Sequence, residues 1–283
     1  SLSVLLGFVL AMDAGGIKTR DDILFVGTVG EEGLGDLRGV RYLFNKGQYK
    51  DKIKTFFSVE SGSVDLITNG GVGSRRYRVT FNGPGGHSYG AFGLVNPMFA
   101  LGQAAVEFSR LQVPATPKTT YGIGVISGGT SVNSIPLSGS MEVDMRSESV
   151  VELKRVEDRM MKIMQEAADA ENFARSTKEG KISVEIKLIG DRPAGNTDVK
   201  SELVQTAKAA IEAGGYKVGY QWSSTDSNMP MNLGIPAITI GRGGPGKAGR
   251  SHSLDEWTDV EKEPMVKAIA TSLSIILATA GLE

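Results

Sequence analysis

The sequence predicts an α/β protein in which a ferredoxin-like βαββαβ module interrupts a second, discontinuous α/β domain. Two observations carry this. Residues 74–192 read strand, helix, strand, strand, helix, strand, complete within one module. The flanks, 1–73 and 193–283, alternate helices with short apolar strands, as pieces of a single α/β layer do. Junctions are expected near Asn69–Gly73 and Asp191–Gly195, where glycine, asparagine and proline gather.

The elements follow in order. Leu2 to Met12 is an apolar stretch that reads as a buried helix; no basic segment precedes it, so it is not a signal-peptide core. Because Ser1 is not an initiator methionine, the chain is expected to be a fragment that lacks upstream sequence. Ile23 to Val29 is short, β-branched and bounded by Asp21-Asp22 and Gly30, the pattern of a buried parallel strand. A helix begins near Leu37, and Thr55 to Val59 reads as the next strand.

In the inserted module, 75–82 alternates as a strand and Asn96-Pro97 opens a helix running to about Leu111. Strands at 121–127 and 139–146 follow. Residues 150–174 form a long amphipathic helix with Val156, Met160, Ile163, Met164 and Ala167 as its apolar stripe, and 181–189 alternates again. Beyond the module come a helix at 201–213, a strand at 218–222, a short helix, a strand at 235–240 and a final helix. The last apolar stretch, 268–282, is interrupted by Thr and Ser and reads as too short to span a bilayer, so a soluble protein is expected, with the cytoplasm favoured.

Composition narrows the function. The 283 residues carry a net charge of −1, so no global field favours nucleic acid or an anionic membrane. There are no cysteines, which excludes disulfides and thiolate metal sites. With only His87 and His252, a metal site would have to lean on carboxylates.

Candidate chemistry gathers at strand ends. Glu31 and Glu32 follow the 23–29 strand, Glu60 ends the 55–59 strand, Asp226 follows 218–222, and His252 follows 235–240 and a glycine-rich loop. Ligands of open α/β sheets bind at the carboxyl edge of the strands. Adjacent carboxylates repel, and a cation held by one, with the other as general base, would relieve them. The competing reading caps the following helix, whose N-terminus favours negative charge. Residues 241–248, Gly-Arg-Gly-Gly-Pro-Gly-Lys-Ala, approach a phosphate-binding loop, but Ala248 replaces the magnesium-holding Ser/Thr and no helix follows. His87, in the loop 82–88, could polarise a carbonyl oxygen, and Asn133 and Arg146 could recognise a carboxylate. Read singly, these three are a surface histidine, a turn asparagine and a surface arginine.

Taken together, the motifs resemble the M20 family of di-zinc metallopeptidases and deacylases. Gly30-Glu31-Glu32-Gly33, Gly83-Pro84-Gly85-Gly86-His87-Ser88, Asn133-Ser134-Ile135-Pro136, Ser224-Thr225-Asp226 and Ser251-His252 match its motifs in order around the inserted module. The resemblance implies a zinc-exopeptidase-like catalytic domain with a lid and dimerisation domain, acting as a hydrolase of amide bonds in small peptides or N-acyl amino acids. It implies Glu31 as general base, Glu32, Glu60 and His252 as zinc ligands, and His87 as the oxyanion-stabilising group acting on the partner of a homodimer. Asn133 and Arg146 would grip a substrate carboxylate, while Thr225 and Asp226 would line the pocket or orient ligands. Two zinc ions per intact subunit are implied, replaceable by cobalt or manganese. The family's upstream His-x-Asp and bridging Asp have no counterpart here, so this chain alone is expected to be inactive. The alternative is a non-catalytic, peptide-binding relative.

Overall fold

The computed structural model describes residues 1–244 and 253–283. In chain order its helices are α1 (Leu2–Ala14), α2 (Arg38–Asn45), α3 (Pro97–Ser109), α4 (Val150–Ala174), α5 (Glu202–Ala213), α6 (Asn228–Asn232) and α7 (Lys262–Ala280). Its strands are β1 (Phe56–Ser63), β2 (Leu66–Gly71), β3 (Gly73–Asn82), β4 (Gly86–His87), β5 (Thr119–Gly128), β6 (Ser134–Ile135), β7 (Ser138–Ser147), β8 (Ser183–Arg192), β9 (Gly195–Asn196), β10 (Gly219–Ser223) and β11 (Ala237–Gly243). The chain divides into two compact units, Ser1–Val72 with Pro193–Glu283, and Gly73–Arg192.

The first unit is built on a mixed sheet of order β1-β11-β2-β10, with β9 alongside β2. β1 and β11 run parallel, with Phe56 opposite Ala237 and Glu60 opposite Gly241. Alternation along β1 sorts its two faces. Phe57 and Val59 join a core with Val4 and Phe8 of α1, Val204 of α5 and Ile275 of α7. Phe56 turns the other way, to Phe44 of α2 and the cluster of Leu37, Val40 and Met229, and meets the Phe44 ring edge-on at 5.5 Å. Ser58 and Glu60, two and four residues on, lie on this second face.

Three expectations are corrected here. Residues 23–29 are not a strand: among the described residues nothing pairs with them. At the ends of this segment the Arg20 and Asp21 amides donate to Gly281 O and Ala280 O and the Gly39 amide donates to Val29 O. Its apolar run serves one-sided packing, with Ile23 and Phe25 against the core and Leu24 and Val29 exposed. α1 is likewise half buried rather than buried, burying Val4 and Phe8 but exposing Leu2, Leu6 and Leu10. Finally, α7 spans 19 residues, long and apolar enough by itself to cross a membrane, so the reading of its segment as too short fails. Its apolar residues Ala268, Leu273, Ile275 and Ile276 belong to the core, which accounts for its composition. β2 was not expected at all, because Asn69-Gly70-Gly71 reads as a junction.

The second unit is a four-stranded antiparallel sheet of order β5-β7-β3-β8. Taken as the four strands of a βαββαβ unit, this is second-third-first-fourth, the ferredoxin-like arrangement. α3 and α4 cover one face and bury Tyr77, Val79, Phe81, Met141, Val143 and Met145. Met160 and Met164 of α4 are fully buried, each contributing about 1.5–3 kcal/mol. Asn96 caps α3, its side chain accepting from Met98 N at 2.9 Å with Pro97 at the first helical position; Ser149 caps α4. The other face is a ladder of charges, in which Arg76 faces Asp144 and Arg78 faces Glu142 directly across the β3–β7 pair.

Candidate active site

In the first unit Glu60 lies within β1, opposite Gly241 of β11, and feels the charges of Asp226 and Glu32. Glu60 is half buried, and Ser58 Oγ donates to its Oε1 at 2.8 Å. Burial, then the negative charges of Asp226 and Glu32, push the Glu60 carboxyl above its ordinary range, and the Ser58 bond opposes this. Asp226 is buried, and Thr28 Oγ1 donates to its Oδ2 at 2.6 Å. That bond joins the loop after β10 to the segment leading into Glu31.

Glu31 is half buried and Glu32 exposed, just before a single 3₁₀ turn, Gly33–Gly35. Glycine shapes this corner. Gly30 has φ +72°, and a Cβ on Gly35 would lie 2.5 Å from the Gly30 Cα. A Cβ on Gly39 would lie 2.6 Å from both backbone N and O of Val29. Asp36 and Leu37 then enter α2 in the left-handed region, φ 52° and 59°, a strain non-glycine residues seldom carry. Leu37 is held there by full burial, and the Asp36 carbonyl accepts from Arg41 Nε at 2.8 Å.

Thr225 and Asp226 do not share an environment. The Thr225 hydroxyl joins Thr239 Oγ1 at 2.7 Å, and Thr239 Oγ1 donates to Ser227 Oγ at 2.9 Å, a buried network that ties the loop to β11. Thr225 therefore orients the loop rather than lining a pocket. A cleft of about 650 Å³ opens between residues 24–29 and Tyr42, Leu43 and Tyr49, but none of the four acidic residues lines it. His252, and residues 245–248 of the glycine-rich loop, lie outside the described residues. Gly241–Gly243 continue β11.

The second unit brings His87 and Asn133 together. β4 and β6 form a two-stranded ribbon in which His87 faces Ser134, and Ser88 N donates to Asn133 O at 2.9 Å. Both side chains are exposed. Arg146 is elsewhere. It lies near the far end of β7, its Nε donating to Asp144 Oδ2 at 2.7 Å. The ribbon joins the other end, where Gly83 N donates to Leu137 O. Eight residues of β7, roughly 27 Å at the rise of an antiparallel strand, separate Ser138 from Arg146. Asn133 thus precedes the Ser138 end of β7, while Arg146 lies near its opposite end.

Sequence reasoning missed Ser58 and Thr28, the hydrogen-bond donors to Glu60 and Asp226. Ser58 was findable, since two residues before Glu60 on a strand is the same face. The Thr28 contact spans 198 residues and leaves no local signal.

Residues 69–172 match the family model described as the peptidase dimerisation domain of the M20 type. None of the curated proteins matches the chain in sequence. Among solved structures, a tripeptidase from Staphylococcus aureus superposes with a TM-score of 0.75 at 19% identity, over 99% of this chain and 68% of that one. The aminopeptidase PepT from Bacillus cereus gives 0.70 at 18%, over 99% and 69%. Bacillus subtilis YxeP, described as a dinuclear metal binding peptidase of the M20 family, gives 0.67 at 16%, over 98% and 71%. The fold is thus an α/β domain with an inserted dimerisation module. Residues 69–172 match the M20-type peptidase dimerisation domain, and the chain as a whole shares the fold of these solved structures.

Proposed function

We propose that this chain belongs to a metal-dependent hydrolase of amide bonds in small peptides or N-acyl amino acids. What supports the reading is the setting of Glu60, whose carboxyl is pushed up by burial and then by the negative charges of Asp226 and Glu32, a setting that a cation would relieve. The solved relatives support it, being described as an aminopeptidase, a tripeptidase and, in Burkholderia ambifaria, a hydantoinase/carbamoylase family amidase.

A metal fits these residues in charge and donor type. Among the described residues no group of three or more His, Asp or Glu is arranged to hold one, so Glu32 and Glu60 form an incomplete set that His252 would extend. Zinc is the metal we propose, with cobalt or manganese as substitutes. When bound, it would supply Lewis acidity toward the scissile carbonyl and the attacking water. Glu31 takes the proton of the attacking water and delivers it to the leaving amine. Asp226, anchored by Thr28, orients the ligand carboxylates. His87 donates to the developing oxyanion, with Asn133 beside it. Arg146 recognises a free carboxylate of the substrate.

The separation of Arg146 from His87 and Asn133 favours a homodimer, since two copies present the two ends of the module to one substrate. The test is hydrolysis of a panel of dipeptides, tripeptides and N-acyl amino acids by the source polypeptide at its full encoded length, with and without zinc, beside Glu31→Gln. Turnover that requires metal and disappears in the variant supports the reading. Metal binding absent along with turnover overturns it.

A further inference from the structure

The His87 ring is gripped by its own turn. After the ribbon, the chain folds back so that Ala91 N donates to His87 O at 2.8 Å and Phe92 N donates to Tyr89 O at 3.2 Å. The turn closes tightly: Gly86 has φ +148°, and a Cβ there would lie 2.8 Å from the Ala91 Cβ. Inside it, two successive backbone amides converge on one ring atom. Tyr89 N donates to His87 Nδ1 at 3.3 Å and Gly90 N donates to the same Nδ1 at 3.2 Å.

An imidazole nitrogen that accepts hydrogen bonds carries no proton, so the neutral ring bears its proton on Nε2. We propose that the Tyr89 and Gly90 amides are positioning groups that hold His87 as the Nε2–H tautomer, making Nε2 the atom that donates to the oxyanion. This rests on the role of His87 proposed above. No bond of the ring is made or broken: the Nε2–H bond points at the carbonyl oxygen, strengthens as negative charge develops there, and relaxes when the tetrahedral species collapses. A fixed donor of this kind acts in the transition state without reorganising. Free rotation of an exposed imidazole would scatter both tautomer and direction, and two backbone amides remove that freedom.

Gly90 makes the idea testable. A Cβ on Gly90 would stand 3.9 Å from Nδ1, an ordinary contact, so Gly90→Ala fits and keeps the amide donor, whereas Gly90→Pro removes it. The first measurement is ¹⁵N NMR of the imidazole nitrogens at alkaline pH. The chain has two histidines, so His87→Gln assigns the signals. Protonated Nε2 and bare Nδ1 are expected in the wild type and in Gly90→Ala, and a shift toward the other tautomer in Gly90→Pro. A wild-type ring protonated on Nδ1, or an even mixture, overturns the proposal, and this readout needs no substrate or folded proline variant.

The second measurement uses turnover by the source polypeptide at its full encoded length. Gly90→Pro should lower kcat roughly tenfold at nearly unchanged KM, with Gly90→Ala close to wild type, because the lost interaction belongs to the transition state. His87→Gln, whose amide nitrogen falls near the place of Nε2, should retain more activity than His87→Asn, whose nitrogen falls near Nδ1. The reverse order overturns the proposal. Absence of turnover in every variant, with the wild-type tautomer as expected, would count against the hydrolase reading and leave the positioning of His87 supported.

Discussion

Thr28 Oγ1 stands 2.6 Å from Asp226 Oδ2 and donates to it across 198 residues of sequence. It ties the loop carrying Asp226 to the unladdered segment leading to Glu31. A hydrogen bond to a charged, buried acceptor contributes about 1.5–3 kcal/mol. Thr28→Val keeps the shape and removes the donor, so it should lower the unfolding free energy of the chain by that amount in urea titration. Thr28→Ser should lose less than half as much. A loss in Thr28→Ser with none in Thr28→Val would mean that the methyl packing, not the bond, matters.

Glu60 predicts a pH dependence with a definite sign. Its folded carboxyl is raised by burial and by Asp226 and Glu32, so the folded state holds the proton more tightly than the unfolded chain. Its contribution to stability is therefore fully present below the unfolded value of 4.5 and lost as pH rises through the folded value. In a chelator, wild type should lose urea stability across this window relative to Glu60→Gln, which cannot ionise. Adding zinc at neutral pH should stabilise the wild type and leave Glu60→Gln nearly unmoved. Parallel pH profiles would show that Glu60 carries no penalty.

These side chains also show what was legible beforehand. The inserted module was readable because each of its elements has its own local signal: the Asn96-Pro97 start of α3, the Ser149 cap and 3.6-residue stripe of α4, and the alternation of β3 and β7. Periodicity reports which side of an element is apolar. It does not report whether a strand has a neighbour, and for that reason 23–29 read as a strand while lacking a ladder. The same limit applies at the site. Glu31, Glu32, Glu60 and Asp226 could be named from their places after apolar runs, whereas the bonds from Ser58 and Thr28 and the burial of Thr225 in a hydroxyl network depend on which loops meet. The separation of Arg146 from Asn133 was not legible either, because nothing in the sequence measures the length of β7 between them.

That length leads to a complementation test. In the source polypeptide at its full encoded length, His87→Ala and Arg146→Ala should each be nearly inactive. In a mixed dimer, one substrate would meet the intact His87 of one copy and the intact Arg146 of the other. Co-expressed variants, assorting into about half mixed dimers with one competent site each, should recover about a quarter of wild-type activity. No recovery would mean that both residues serve a substrate from the same copy, or that the chain acts as a monomer, and sedimentation distinguishes the two.

Gly39 supplies the most local prediction, and it follows from the absence of a strand partner at 23–29. The Gly39 amide donates to Val29 O at 2.9 Å, and the two backbones approach so closely that a Cβ on Gly39 would lie 2.6 Å from Val29 N and O. Those neighbours are backbone atoms and cannot rotate aside, so Gly39→Ala must push the first turn of α2 away from Val29. Overpacking of this kind costs about 1–3 kcal/mol. It also moves Gly30 and Glu31, because Val29 precedes them directly and has no ladder to resist the displacement. Gly39→Ala should therefore reduce kcat of the full-length protein by more than its stability loss alone requires, measured well below the unfolding transition. Gly102 on α3, where a Cβ would meet nothing within 4 Å, is the matched control: Gly102→Ala should be neutral or slightly stabilising and leave kcat unchanged. If both variants behave alike, the contact at Val29 does not set the position of Glu31.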